Sequence, residues 1–358
     1  SLAATTRPQA QTRPQRAVRR TVLANAKNAV VTLNNAKTYY YLVSSEQTAM
    51  VRPDGEMVNI AGDEFKKTDI KSIRIVDLPH VLLDEDSTTY DKKLSVEHGL
   101  LALHRTLHPG KWNTLALPFS LTGRQVLDAF GEGTVVAQLK GVKEDDLTTI
   151  LFESIDLNTD EAVMGVGLSY LIRPTREPDY SAEERITGFS TGRLYGPIYL
   201  IPNVSIKASQ SPRTRTYSSS DGKTSVRIRG TFNKLDNTDV SGSYIRNKMI
   251  DPGTYMLDDN GLMTENTEAT VVTAFTAWIE NLGETKNLKF YINGAEEDIT
   301  AITDAIQLPE ALTNHWATGR VYDTQGRCIG HVSNGENIRT LQLPRGIYIV
   351  DGKKYVIQ

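Results

Sequence analysis

From Leu101 to Phe130 the chain reads LALHRTLHPGKWNTLALPFSLTGRQVLDAF. Leu101 to Leu107 alternates, the period-two mark of a half-buried strand. Pro109-Gly110 turns the chain into Lys111-Trp112-Asn113-Thr114-Leu115-Ala116-Leu117-Pro118-Phe119. A strand that ends in Pro-Phe fits an edge or a terminus, because proline has no N–H to give to a ladder. Thr122 then offers an N-cap oxygen to a short helix over residues 123–130, which Gly131 stops.

The same texture continues on both sides. Upstream, Thr38 to Val43 and Ile70 to Val76 suit strands, and Pro53-Asp54-Gly55 makes a turn in which glycine accepts the left-handed dihedral. Downstream, Val135 to Leu139, Thr149 to Phe152, Ala162 to Ile172, Leu194 to Ala208, Ser225 to Lys234 and Gly253 to Leu257 are strand-like. Thr270 to Glu280 reads as strand because its Thr, Val and aromatic residues are β-prone. Short strands with few helices predict an all-β, mainly antiparallel fold: tandem β-sandwich-like domains with one or two short helices. The expected order is a flexible basic leader (1–21), an N-terminal β-rich domain (22–105) and a central sandwich-like region (106–317), for which a split at 175–192 stays open. A C-terminal β segment (318–358) follows, with an Asp351-Gly352 turn.

Composition excludes several classes. Forty Lys and Arg against forty-three Asp and Glu give a net charge of −3, so the chain as a whole is not polybasic. The leader holds Arg7, Arg13, Arg16, Arg19 and Arg20 without an acid, but no basic fold follows it, and nucleic acid is not expected as a partner. No apolar run reaches the roughly eighteen residues of a membrane helix. One cysteine leaves no disulfide framework or Cys-rich metal site.

Two resemblances attach to these residues. Lys111 to Phe119, Gly131-Glu132-Gly133 and Tyr170-Leu171-Ile172-Arg173-Pro174, followed by Tyr255 to Gly261 and Ala274 to Trp278, resemble in order a module of large secreted and surface proteins of Bacteroidales. Val321 to Arg327 and Leu343 to Lys354 resemble a shortened C-terminal sorting domain of the type IX secretion route, kept either for export or as a structural cap. The resemblance implies a secreted or outer-surface protein, adhesin-like and attached to a surface assembly, and it brings no catalytic residues.

Candidate chemistry is sparse. His98, His104 and His108 are read as surface strand positions, and His80, His315 and His331 as isolated. Asp84-Glu85-Asp86 and Glu144-Asp145-Asp146 are read as solvated turns. Asp258-Asp259-Asn260-Gly261 with Glu265 has oxygen ligands but not the alternation of a calcium loop. No Gly-x-Ser-x-Gly elbow occurs, and Gly165-Val166-Gly167 marks close packing rather than a phosphate loop. Neither a metal nor a cofactor is expected, nor an enzyme. The basic stretch Lys207, Arg213, Arg215, Lys223, Arg227 and Arg229 faces only Asp221. It reads either as a solvated hairpin loop or as a contact for an anionic glycan or host matrix component, with Tyr195, Tyr199 and Tyr217 as a sugar-stacking platform. Trp112, Phe119, Trp278 and Trp316 are assigned to cores and interdomain contacts. The expected function is therefore non-catalytic capture of an extracellular ligand. A structural or anchoring module and a glycan-acting hydrolase are the alternatives.

Overall fold

The computed structural model describes residues 22–42, 52–60, 63–178, 198–238, 240–242, 244–301, 306–307, 319–332, 341–350 and 353–357. The leader, Tyr195, His315, Trp316, most of the 175–192 connector and the Asp351-Gly352 turn lie outside them. The chain is all-β and mainly antiparallel, and Gly123–Phe130 is the one α-helix among the described residues. None of these residues belongs to a helix long and apolar enough to cross a membrane. The chain divides after Ile299 into two compact units.

Three large sheets dominate the larger unit, beside three small ones of two or three strands among the described residues. The first runs, in spatial order, through Ile198–Ile206, Val96–His104, Ile70–Asp84, Val22–Leu33 and Thr38–Leu42. The second runs through Glu297–Asp298, Lys289–Ile292, Thr149–Ser154, Val135–Val142, Ser169–Arg173 and Asn113–Ala116. The third runs through Arg215–Ser218, Ser225–Gly230, Ala277–Asn281, Tyr255–Leu257 and Met263–Glu265.

The second sheet is the middle layer. Side chains alternate across a strand, so one strand can supply two cores. Val136, Tyr170 and Ile172 pack with Leu101, Leu103, Tyr199 and Ile201 of the first sheet and with Val126 and Phe130 of the helix. Their neighbours Ala137, Leu139 and Leu171 turn the other way, onto Val226, Ile228, Ala277 and Ile279 of the third sheet. Two sandwiches thus share a sheet. This explains why all four residues of Asn113–Ala116 are buried, where a strand with one wet face would alternate.

Close approach has local requirements. A Cβ on Gly230 would lie 2.5 Å from the Ala116 Cβ, so the third sheet reaches the second there only through glycine. The helix starts as its sequence predicts: Thr122 accepts from the Gln125 N–H at 3.1 Å, and the Gln125 side chain returns to the Thr122 N–H at 3.0 Å.

Two strand expectations need correction. Ala162 to Ile172 is not one strand but two, Ala162–Met164 and Ser169–Arg173. Gly167 (φ +71°) turns the chain between them, where a Cβ would meet the Ser211 carbonyl at 2.6 Å. Of Thr270 to Glu280, only the end is strand, beginning at Ala277. Phe275 takes φ +64°, a left-handed conformation that breaks the extended run, and its N–H and C=O bond Thr231 and Ala116 instead of a ladder partner.

The smaller unit holds one sheet, ordered Ile306–Gln307, Lys353–Ile357, Gly346–Val350, Gly319–Tyr322 and Cys328–Val332. Val321, Val332, Tyr348, Val350 and Tyr355 form its small core.

Candidate functional site

Strands Ser225–Gly230 and Ala277–Asn281 pair with Arg227 opposite Glu280 and Arg229 opposite Trp278. Because Val226, Ile228, Ala277 and Ile279 fill the shared core, strand alternation places Arg227, Arg229, Trp278 and Glu280 together on the outer face. That face is one wall of a groove of about 870 Å³. The loops at Thr89–Lys92 and Arg246–Thr254 also line it, as do Leu282 and Lys286.

Hydrogen bonds join these loops. Tyr90 N–H donates to Asn233 Oδ1 at 2.6 Å, and Asn247 Nδ2 donates to the Thr88 carbonyl at 3.0 Å. Trp278 packs with Ile250, Val272 and Leu235 to make an apolar floor. Above it stand six cationic side chains, Lys92, Arg227, Arg229, Arg246, Lys248 and Lys286, against three carboxylates, Asp251, Glu265 and Glu280. Glu280 accepts from Arg227 through Nε at 3.1 Å and through Nη2, and from Arg229 Nη1 at 3.3 Å. Burial is the main cause that holds the Tyr90 phenol well above its ordinary range, with the charge of Asp91 adding to it, so the ring lines the groove as a neutral group.

Of the basic stretch read from sequence, Arg227 and Arg229 line this groove. Arg215 and Tyr217 lie on the strand Arg215–Ser218, where Arg215 reaches Gln138 Oε1 at 3.5 Å and Tyr217 packs against the shared core. Lys223 sits in an exposed turn in which its N–H donates to Asp221 Oδ1 at 3.0 Å, and Arg213 is exposed beside Pro212. Tyr199 is 2% exposed, with its ring 5.0 Å from that of Phe130. It is a core residue, which corrects its assignment to a sugar-stacking platform. Arg229 was visible as part of the basic stretch. Lys92, Arg246 and Lys286 carry no local signal and join the groove only through the fold.

A second polar cluster corrects two more expectations. Asp84 and His104 end neighbouring parallel strands in register. His104 is not a surface position: it is 3% exposed, and its Nδ1 lies 2.7 Å from Asp84 Oδ1. Burial alone would lower the His104 pKa. The hydrogen bond to Asp84 and the charges of Asp84, Glu85 and Asp86 together outweigh it and hold the imidazole above its ordinary value. Nor is Glu85 a solvated turn residue. It is 6% exposed and accepts from the Thr106 N–H at 2.7 Å and the Thr106 hydroxyl at 2.5 Å.

Arg105, also buried, lies 3.6 Å from Glu85 and donates to the carbonyls of Thr106 (2.6 Å), Thr114 (2.9 Å) and Phe275 (3.4 Å). Asp84, Asp86 and His104 bring ligand atoms within 4.8 Å of one another, a spacing at which a divalent cation finds donors. In the structure the His104 and Asp84 atoms are spent on each other. His80, read as isolated, is buried and bonds Asn28 at 2.9 Å.

The calcium-like turn is closed on itself. Asp258 Oδ1 accepts from the N–H groups of Asn260 (2.9 Å) and Leu262 (3.0 Å). Comparison with protein-family models, with curated proteins and with solved structures gives no match to this chain.

Proposed function

We propose that the chain is a non-catalytic, adhesin-like protein of the cell exterior that captures an extracellular glycan or matrix component in the groove walled by Arg227, Arg229 and Glu280. The single observation that carries this reading is the groove itself, with convergent charged groups above an apolar floor, the usual build of a ligand site. The exterior location rests on the sequence resemblances at residues 111–119 and in the C-terminal segment.

The non-catalytic reading is supported by the state of the groove's carboxylates. Glycoside hydrolysis needs two carboxyl groups facing each other across the scissile bond. Glu280 is committed to two arginines, and the other two carboxylates, Asp251 and Glu265, are solvent-exposed. A glycan array and a panel of matrix proteins, probed with the intact chain, test the reading. Binding is expected to at least one probe. A chain that is folded by circular dichroism yet silent at high concentration on every probe would leave the structural or anchoring role in its place.

A further inference from the structure

We infer that the ligand of this groove is an acidic glycan, a polymer carrying sulfate or carboxylate groups, gripped chiefly by Arg229 and Lys286. This rests on the proposed role of the groove as the ligand site.

Charge is the first argument. The whole chain is net negative, at −3, yet along this groove cations outnumber carboxylates two to one. A concave patch with an excess of one sign, on a chain with no such excess overall, concentrates ions of opposite charge.

Donor accounting is the second. A guanidinium has five N–H donors. Arg227 spends Nε and Nη2 on Glu280, whereas Arg229 spends only Nη1, and its side chain is 46% exposed. Arg229 therefore keeps a free edge for a planar or tetrahedral oxyanion, the geometry in which arginine binds in two-pronged fashion. The two arginines are two residues apart on one strand, so their stems project from one face about 7 Å apart. Glu280 is a positioning residue that holds both forks.

Lys92 and Lys286 are exposed and have no carboxylate partner among the described residues. The Lys248–Asp251 pair is mostly solvent-exposed and so easily surrendered to a ligand. The aromatic content separates a glycan from a nucleic acid. Single strands are held by bases stacked on open rings, but Phe232 and Trp278 in this groove are 4% and 6% exposed, and the half-buried Tyr90 ring is packed edge-to-face against Phe232 with centroids 5.1 Å apart. The exposed apolar surface offered is Leu282, which suits the C–H face of a sugar.

The full chain is to be titrated against dextran sulfate, polygalacturonate, neutral dextran and single-stranded DNA, each at low and high salt. Binding to one or both acidic glycans is expected, weakening at least tenfold at high salt, with the two polymers telling sulfate from carboxylate. R229Q combined with K286Q should weaken it at least tenfold at unchanged melting temperature. R213Q combined with K223Q, two basic residues that do not line the groove, should change it less than twofold. Equal binding of neutral dextran overturns the acidic class but leaves the groove as a glycan site. DNA binding as tight as the glycans, or loss in the R213Q/K223Q variant instead, also overturns the proposal. Silence toward all four polymers, with the glycan array also silent, removes the groove reading itself.

Discussion

Arg105 ties one buried carboxylate and three separate backbone segments together. It carries Glu85 and three backbone carbonyls, one of them from Phe275, whose left-handed backbone costs about 1–3 kcal/mol unless its surroundings hold it. Removing one partner of a buried pair strands the other charge, so Arg105→Ala should cost about 3–5 kcal/mol in urea unfolding. Restoring much of that loss by adding Glu85→Gln would identify the stranded carboxylate as the cause; no recovery would count against it.

His104 gives a signed pH effect. Its pKa is raised on folding, so its contribution is complete below the unfolded value of about 6.5 and is lost as pH rises through the folded value. Unfolding free energy measured from pH 5.5 to 8.5 should fall more steeply in the native chain than in His104→Gln. Parallel curves would show that His104 does not contribute. None of this was legible in the residues. An Asp-Glu-Asp run looks solvated by composition, and only the fold, which pairs Asp84 with His104 across twenty residues and Glu85 with Thr106 and Arg105, buries its middle residue.

At the scale of elements, local chemistry was readable where it is complete within a few residues. The Thr122 cap and the Gly131 stop are of this kind, as is the burial of Trp112 and Phe119. Thr122→Ala should lose about 1 kcal/mol of stability, measured as a shift in the unfolding midpoint at constant slope. Signals that depend on a distant partner were silent. Nothing near Ala162 says that Ser211 will press on Gly167, and nothing near Thr270 says that Phe275 will be turned left-handed to meet Ala116 and Thr231. Gly230→Val should be far more costly than Gly222→Val, although both replace glycine. Gly230 faces Ala116 at 2.5 Å, while the space around Gly222 is open and only its φ of +72° resists. Equal losses in a melting comparison would contradict the close approach of the two sheets.

For the whole molecule, β content and antiparallel pairing were legible from strand spacing, but the middle sheet with two dry faces was not. Its strands look like the half-wet strands of an ordinary sandwich, and only the second layer reveals the sharing. The smaller unit has a core of a few residues, so it is expected to open at lower temperature than the larger one. Two calorimetric transitions should result, the first lost when the chain is cut back to Ile299; a single transition in both forms would deny separate cooperative units.

The first sheet has a consequence for biosynthesis. Val96–His104 lies between Ile70–Asp84 and Ile198–Ile206, and the latter leaves the ribosome about a hundred residues later. During that interval the nascent chain presents an open apolar strand edge, the kind that invites wrong pairing. Slow maturation is built into the order in which this polypeptide is made, and a holding chaperone would be most useful before Ile206 emerges.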